Sequence, residues 1–129
     1  METDRSTLNL FMAAVNARDA DLARGLLAPD VVLAPLLAHL REPATPYHGL
    51  DGAEAFFADL GELPNPPIVM PSQILTAATG TIVLATLRTR GDGGPVDHPV
   101  SLVFRLRNGR IASMQTYGSV ATARTALGL

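Results

Sequence analysis

His98 is the residue whose chemistry and surroundings are most informative in this sequence. It is followed at every second position by an apolar residue, at Val100, Leu102, Phe104 and Leu106. The intervening positions are mostly polar or charged, so the pattern predicts a strand with one face toward the interior and the other toward water. An ionisable side chain on the inner face is either a core histidine with satisfied hydrogen bonds or the polar group of a ligand pocket.

The imidazole of His98 would act as a general base if it faces such a pocket. A neutral imidazole positioned to accept a proton contributes about 10² to 10⁴-fold to a rate. The alternative is a half-solvated position at the rim of the sheet, just before Pro99, with no chemical role. Asp97 is adjacent but points to the opposite face of the strand, so it cannot orient the imidazole.

The other two histidines have simpler expected roles. His39 lies in a proline-bounded segment after the first predicted strand, where it either covers the cavity and contacts the ligand or is solvated. His48 precedes Gly49 at the start of the third predicted helix, where we expect it to pack or cap the turn. No carboxylate lies at the spacing of metal ligands from His39, His48 or His98, so no metal site and no cofactor are expected.

Hydroxyl and apolar side chains complete the expected pocket. Thr89 and Thr116 would hydrogen-bond a ligand carbonyl if they point inward, although threonine is also an ordinary strand residue. Arg88 and Arg90 flank Thr89, and their charges belong to the solvated outer face, which places the threonine on the inner face. The pocket walls would be Phe11, Leu102, Phe104 and Met114, which are equally ordinary as core residues.

Composition excludes several classes of function. The 129 residues carry 10 Lys and Arg against 12 Asp and Glu, without the basic excess that nucleic-acid binding demands. Cysteine is absent, which excludes thiolate chemistry and disulfides. The first residues lack a leader pattern, and the most apolar stretch, 31–40, is interrupted by Pro35 and His39. We therefore expect one soluble, cytoplasmic domain over residues 1–129, without a membrane or nucleic-acid partner.

Three helices are predicted in the N-terminal half, because apolar residues recur there at helical spacing. Polar residues mark where each helix begins, since their side chains cap backbone N–H groups. Asp51 and Glu54 resemble a capping box and are expected to start the third helix. The other expected starts are Asp4 or Ser6 for the first helix and Asp19 or Asp21 for the second, with ends near Asn16 and before Pro29.

The C-terminal half is predicted to be an antiparallel meander, because the apolar period changes there to two. Four prolines from Pro64 to Pro71 exclude regular structure just before it. The segment between Pro35 and Pro46 is expected to be irregular and could cover the cavity as a lid. The strands are expected at residues 31–34, 73–77, 81–90, 95–107 and 110–117.

The last hairpin, at residues 108–109, has two possible registers that give its second strand opposite faces. A two-residue type I′ turn would bury Ser113 and Gln115, at a cost of about 1 to 3 kcal/mol each without hydrogen-bond partners. We therefore expect a three-residue loop with Gly109 in the left-handed conformation and a bulge. The buried residues would then be Ala112, Met114 and Thr116, with Ile111 as an apolar exception on the outer face.

Short motifs mark the junctions between these elements: Asn-Ala-Arg-Asp at 16–19, Leu-Leu-Ala-Pro-Asp-Val-Val at 26–32, Tyr-His-Gly at 47–49, and the segments 103–106 and 109–111. With the order of the elements, they resemble the nuclear transport factor 2-like superfamily over almost the whole chain, and within it the SnoaL-like polyketide cyclases. The resemblance implies an α+β fold, in which a cone of curved antiparallel sheet is closed by about three N-terminal helices around an apolar cavity. It also implies a homodimer.

The catalytic residues of two related groups are missing at the matching positions. Ketosteroid isomerases use a tyrosine, an aspartate base and a second, protonated acid. Limonene epoxide hydrolases use an arginine between two aspartates. The isomerase positions fall on Phe11, on Ala34 or Pro35, and on Leu102, and the hydrolase positions fall on Leu87, Thr89 and Thr116.

Three functions remain open at this point. The leading hypothesis is a cyclase, isomerase or lyase that acts on a hydrophobic, polyketide-like small molecule, with His98 as base and Thr116 or His39 polarising a carbonyl. The second is a module that binds a hydrophobic metabolite without transforming it, which the missing acids favour. The third is a dimeric scaffold that uses an open sheet face carrying Val103 and Tyr117.

Overall fold

Six strands form one curved, open sheet, and α-helices pack on both of its faces. The computed structural model describes residues 2–36, 45–63 and 65–129, and only the backbone of Glu2 and Thr3. The combination of helices with a mostly antiparallel sheet confirms the predicted α+β class. In chain order the elements are α1 (Glu2–Ala17), α2 (Ala20–Arg24), β1 (Leu27–Leu33), β2 (Tyr47–His48), α3 (Gly49–Glu62), β3 (Ile68–Ala77), β4 (Gly80–Gly91), β5 (Gly94–Arg107), β6 (Arg110–Tyr117) and α4 (Val120–Ala126).

The strands follow the order β2-β1-β6-β5-β4-β3 across the sheet. β3 to β6 form the predicted antiparallel meander, and β1 lies parallel to β6 on its other side. Helices α1 and α3 bury their apolar stripes against the inner face, and α2 packs against both of them. None of the described helices is long and apolar enough to cross a membrane.

Aromatic rings form the centre of the core between α1, α3 and the sheet. The ring of Phe11 packs edge-to-face against Phe57, with centroids 6.4 Å apart, and against Phe104, with centroids 5.9 Å apart. Leu102 and Met114 belong to the same cluster and, like Phe11 and Phe104, are at most 1% exposed. Burying a side chain of this size stabilises the fold by about 1.5 to 3 kcal/mol.

The starts of the second and third helices differ in how well the sequence predicts them. Asp19 caps α2 as expected, since its carboxylate accepts a hydrogen bond from the N–H of Leu22. The predicted capping box of Asp51 and Glu54 is wrong, because α3 already begins at Gly49. The Glu54 carboxylate instead forms an ion pair 2.9 Å long with an α2 side chain.

Two prolines lie inside strands, contrary to the prediction. β1 begins at Leu27 and contains Pro29, and β3 begins at Ile68 and contains Pro71. Both positions lie where the ladder is incomplete, because β3 is an edge strand and the pairing of β1 with β6 shifts between Leu27 and Val32. A missing N–H is tolerated at such edges and bulges.

The last hairpin combines features of both predicted registers. Asn108 and Gly109 form a two-residue turn with φ of 55° and 76°, as in type I′, so the expected three-residue loop is wrong. The register then shifts after Leu106 pairs with Ile111, so the bulge lies within the strand. Both Ile111, which was expected outside, and Met114 are therefore buried in the core. Thr116 is buried as predicted, whereas Ala112 is only half-buried.

A fourth helix, which the sequence reading did not predict, covers part of the outer face. The hydroxyl oxygen of Ser119 caps α4 by accepting a hydrogen bond from the N–H of Thr122. Ala123 and Leu127 then pack on the outer face and leave Val103 fully buried. The expectation that Val103 lies on an open face is therefore wrong, because this helix occupies the space above it.

Candidate functional site

His98 lies on the inner face of β5, where that strand extends beyond β6. Pairing of β5 with β6 ends at Ser101 and Tyr117, and pairing of β4 with β3 ends at Arg88 and Ile68. Only β4 continues beside β5 at this end, and His98 is half-buried there. The imidazole therefore lies at the edge of the core, between the buried end of β5 and its solvated tip.

Thr89 holds the imidazole from the neighbouring strand. Its Oγ1 lies 3.1 Å from Nε2 of His98 and 3.4 Å from the carbonyl oxygen of Val96, to which it donates. Thr89 is half-buried, and its neighbours Arg88 and Arg90 are exposed. The structure thus brings together two of the predicted site residues, Thr89 and His98.

Asp97 does not take part in this contact. Its two carboxylate oxygens accept hydrogen bonds from Nε and Nη2 of Arg88 at 2.8 and 3.0 Å. These bonds lower the pKa of Asp97 and raise the pKa of Arg88 from their ordinary values. Both side chains are exposed, and Asp97 forms its hydrogen bonds with Arg88 on the outer face of the strand.

Thr116 on β6 forms a hydrogen bond to the segment that follows β1. It is 7% exposed, and its hydroxyl donates to the carbonyl oxygen of Pro35 over 3.4 Å. The adjacent backbone is fixed by a second bond, from the N–H of Ala34 to the carbonyl oxygen of Met114. Thr116 thus lies beside the backbone of Ala34 and Pro35.

An open groove of about 420 Å³ begins at Pro35 and runs along the C-terminal half of α3. This volume is within the range of small-molecule sites. Its polar centre is a hydrogen bond of 2.5 Å, which the hydroxyl of Tyr47 donates to Oδ2 of Asp59. The ring of Tyr47 also packs edge-to-face on Phe56, with centroids 5.5 Å apart. The described lining consists of Pro35, Leu36, Tyr47, Phe56, Asp59, Leu60, Glu62, Leu63 and Pro67.

The remaining predicted residues are placed as follows. Phe11, Leu102, Phe104 and Met114 lie in the packed core and are absent from the lining of this groove. His48 is exposed at the N-cap position of α3, but its side chain makes no capping hydrogen bond. His39 lies outside the described residues.

The groove could not be seen in the sequence pattern. The groove combines α3 with Pro35, Tyr47 and Pro67, which belong to three separate segments. A signal for it was nevertheless present, since Asp59 and Glu62 occupy the last turn of α3, where no basic residue accompanies them. In the described part of the chain, no three histidine, aspartate or glutamate residues are close enough together to hold a metal ion.

The architecture is an α+β fold of the nuclear transport factor 2-like and ketosteroid isomerase-like kind. Residues 8–114 match the family model described as a SnoaL-like domain, and the chain belongs to this family. No curated protein sequence matches the chain.

Several solved structures share the fold at low sequence identity. A putative SnoaL-like polyketide cyclase from Jannaschia sp. CCS1 is 20% identical with a TM-score of 0.71, covering 98% of this chain and 92% of that one. TerC co-crystallised with polyporic acid is 15% identical with a TM-score of 0.72, covering 98% and 99%. A protein with a ketosteroid isomerase-like fold from Catenulispora acidiphila DSM 44928, in complex with trimethylamine, is 18% identical with a TM-score of 0.73, covering 95% and 92%. These identities establish the shared fold alone.

Proposed function

We propose that this protein is an enzyme of the cyclase or isomerase type that acts on a hydrophobic, polyketide-like small molecule by general acid–base chemistry. The observation that carries the proposal is the half-buried imidazole of His98, held by Thr89 on the inner face of the sheet. The SnoaL-like family and the similarity to a putative polyketide cyclase support the same class of reaction. Two structural neighbours crystallised with small molecules support a small-molecule ligand.

The proposed chemistry begins with the removal of a proton from a carbon next to a carbonyl group. Because Thr89 donates its hydroxyl hydrogen to Val96, its oxygen is available to accept Nε2–H of the imidazole. Nδ1 of a neutral ring then takes the substrate proton, and the electron pair of the C–H bond forms an enolate. The negative charge on the enolate oxygen is stabilised by a hydrogen bond, for which Thr116 is the proposed donor, once its hydroxyl rotates away from the long 3.4 Å bond to the carbonyl oxygen of Pro35. His39 is the alternative donor.

Deuterium exchange tests this first step without knowledge of the natural substrate. 1-Tetralone, a bicyclic ketone, is incubated with the protein in D₂O, and loss of the signal of its protons next to the carbonyl is followed by ¹H NMR. We expect the wild-type protein to accelerate exchange. The exchange rate with His98→Ala should be at least about tenfold lower, given the usual contribution of a positioned base. His48→Ala, which removes an exposed histidine, is the matched control.

The role of Thr89 is separable in the same assay. Thr89→Val removes the hydroxyl group that positions the ring, and Thr89→Ser restores it. We expect Thr89→Val to slow the exchange and Thr89→Ser to keep most of it. Equal rates for the wild-type protein and His98→Ala would remove His98 from the mechanism.

Binding without turnover is the second candidate function, and one observation favours it. The carboxylate nearest to His98 in sequence is bound by Arg88, so the imidazole has a hydroxyl and no carboxylate as its described partner. A binding protein would retain 1-tetralone in an equilibrium binding measurement and leave its exchange rate at that of buffer.

A homodimer is proposed through the part of the outer face that α4 leaves uncovered. Leu75, Leu84 and Tyr117 are only partly buried there and would support such a contact. Light scattering should give about twice the chain mass of 13.6 kDa, and Leu84→Asp should reduce it to one chain. A single-chain mass for the unmodified protein would contradict the dimer.

A further inference from the structure

The groove along α3 has an apolar wall and an acidic border. Leu36, Phe56 and Leu60 form the wall and are nearly fully buried. Asp59 and Glu62 lie beside them, and the described lining contains no basic side chain. Neither carboxylate has a basic partner among the ion pairs of the described residues. The described lining of the groove therefore carries a negative charge.

The position of these two acids on α3 is electrostatically unfavourable for the helix. They are three residues apart, so they lie on one side of the helix and repel each other. They also lie in its last turn, where the carbonyl groups carry the negative end of the helix dipole. A cation bound at this point would relieve both effects. Departures from the usual charge pattern of a helix are concentrated at functional sites.

Tyr47 fixes one of the two carboxylates and adds an aromatic surface. Its hydroxyl donates to Oδ2 of Asp59 at 2.5 Å, which limits the rotation of that carboxylate. The remaining lone pairs of Asp59 are still able to accept hydrogen bonds from a ligand. The ring of Tyr47 lines the groove and is half-buried, and the faces of aromatic rings attract cations.

We infer that the groove binds a small hydrophobic amine in its cationic form, with the apolar part against Leu36, Phe56 and Leu60 and the ammonium group near Asp59 and Glu62. The volume of about 420 Å³ accommodates a ligand of this kind. The inference goes beyond the proposed function, because the described lining of the groove contains neither His98 nor Thr89.

Isothermal titration calorimetry with three matched probes tests this inference. 3-Phenylpropylamine, 3-phenylpropanol and 3-phenylpropanoate share the same ring and chain but are cationic, neutral and anionic at pH 7. We expect the amine to bind most tightly and the carboxylate least tightly. Raising the ionic strength should weaken the amine selectively, because exposed charge pairs are screened by salt.

Substitution of the two acids provides the residue-level test. The double variant Asp59→Asn and Glu62→Gln should weaken the amine about three- to tenfold, as two partly exposed charge contacts would, and leave the alcohol unchanged. Asp51→Asn, an exposed acid in the first turn of the same helix, is the matched control and should change neither affinity. Circular dichroism verifies that each variant is folded.

The outcomes separate this inference from the proposed function. Equal affinity for the amine and the alcohol, or an amine affinity that the double variant keeps, would overturn the amine-binding groove. Deuterium exchange that depends on His98 would survive that result. Conversely, selective amine binding with no effect of His98→Ala on exchange would leave the groove as a binding site and remove the proposed catalysis.

Discussion

One alternating sequence pattern runs along the whole inner face of β5. The two ends of this face differ in the neighbouring strands and helices that cover them. Phe104 has strand partners on both sides, Thr81 on β4 and Met114 on β6, and a helix above it, and it is fully buried. His98 has a strand partner only on β4 and is half-buried. Alternation therefore determines the face that a side chain occupies, while the lengths of the neighbouring strands determine its depth.

The largest loss of stability is expected from a substitution at the buried end of β5. Phe104→Ala removes a ring that contacts Phe11 and leaves a cavity that the packed core cannot close. We expect the free energy of unfolding to fall by about 3 to 5 kcal/mol, as is typical of large aromatic truncations in cores. Denaturation by urea measures the change, and a loss below about 1 kcal/mol would show that this end is not tightly packed.

A smaller effect is expected in the groove. Tyr47→Phe keeps the ring against Phe56 and removes only the hydroxyl that donates to Asp59. Since the acceptor is exposed, we expect a loss of about 1 kcal/mol in the free energy of unfolding. The same denaturation series measures it. A loss as large as that of Phe104→Ala would mean that the groove belongs to the structural core.

His98→Ala should change stability less than either substitution. It removes a half-buried ring with one described side-chain hydrogen bond, to Thr89. We expect a loss of about 0.5 kcal/mol, the low end for a neutral hydrogen bond. A loss above about 2 kcal/mol in thermal and urea denaturation would show that His98 is a structural core histidine, which is the alternative reading of its sequence pattern.

The smallest effect on stability is expected from protonation of Asp97 at low pH, on the outer face of the same strand. The bonds from Arg88 lower the pKa of Asp97 below its ordinary value of 3.8 in the folded protein. The ion pair therefore contributes stability at pH values above 3.8 and loses it as the pH falls through the lower, folded value. Its contribution is small because both groups are exposed.

Melting temperatures from pH 6 to pH 2.5 check this expectation. Asp97→Asn should be slightly less stable than the wild-type protein at pH 6, and the difference should disappear in acid. A difference that persists at pH 2.5 would have to come from packing and not from the charge of Asp97.

The sequence predicts the faces of the strands better than their ends. Thr89 and Met114 lie on the inner face as their alternation requires, although the last hairpin reaches this arrangement through a turn and bulge different from those expected. Pro71 lies within a strand because an edge tolerates a missing N–H, and edges are a property of the whole sheet. Burial depth at His98 depends on the same non-local information.

The groove was missed for a related reason. Its residues are far apart in sequence, and no periodic pattern connects Pro35 and Tyr47 with Asp59. The helix α4 was not predicted, although Ser119 provides an ordinary N-cap after the last strand. The local signal for the groove is the pair of acids at the end of α3, Asp59 and Glu62, where basic residues are usual.

We propose that the reactive part of this fold lies at the His98 end of the inner face. A two-dimensional ¹H–¹⁵N NMR titration of the labelled protein with 1-tetralone tests this placement. We expect the largest changes in backbone amide shifts at Thr89, His98 and Thr116. Changes confined to the outer face around Val103 and Leu127, or no changes at saturating ketone, would contradict it.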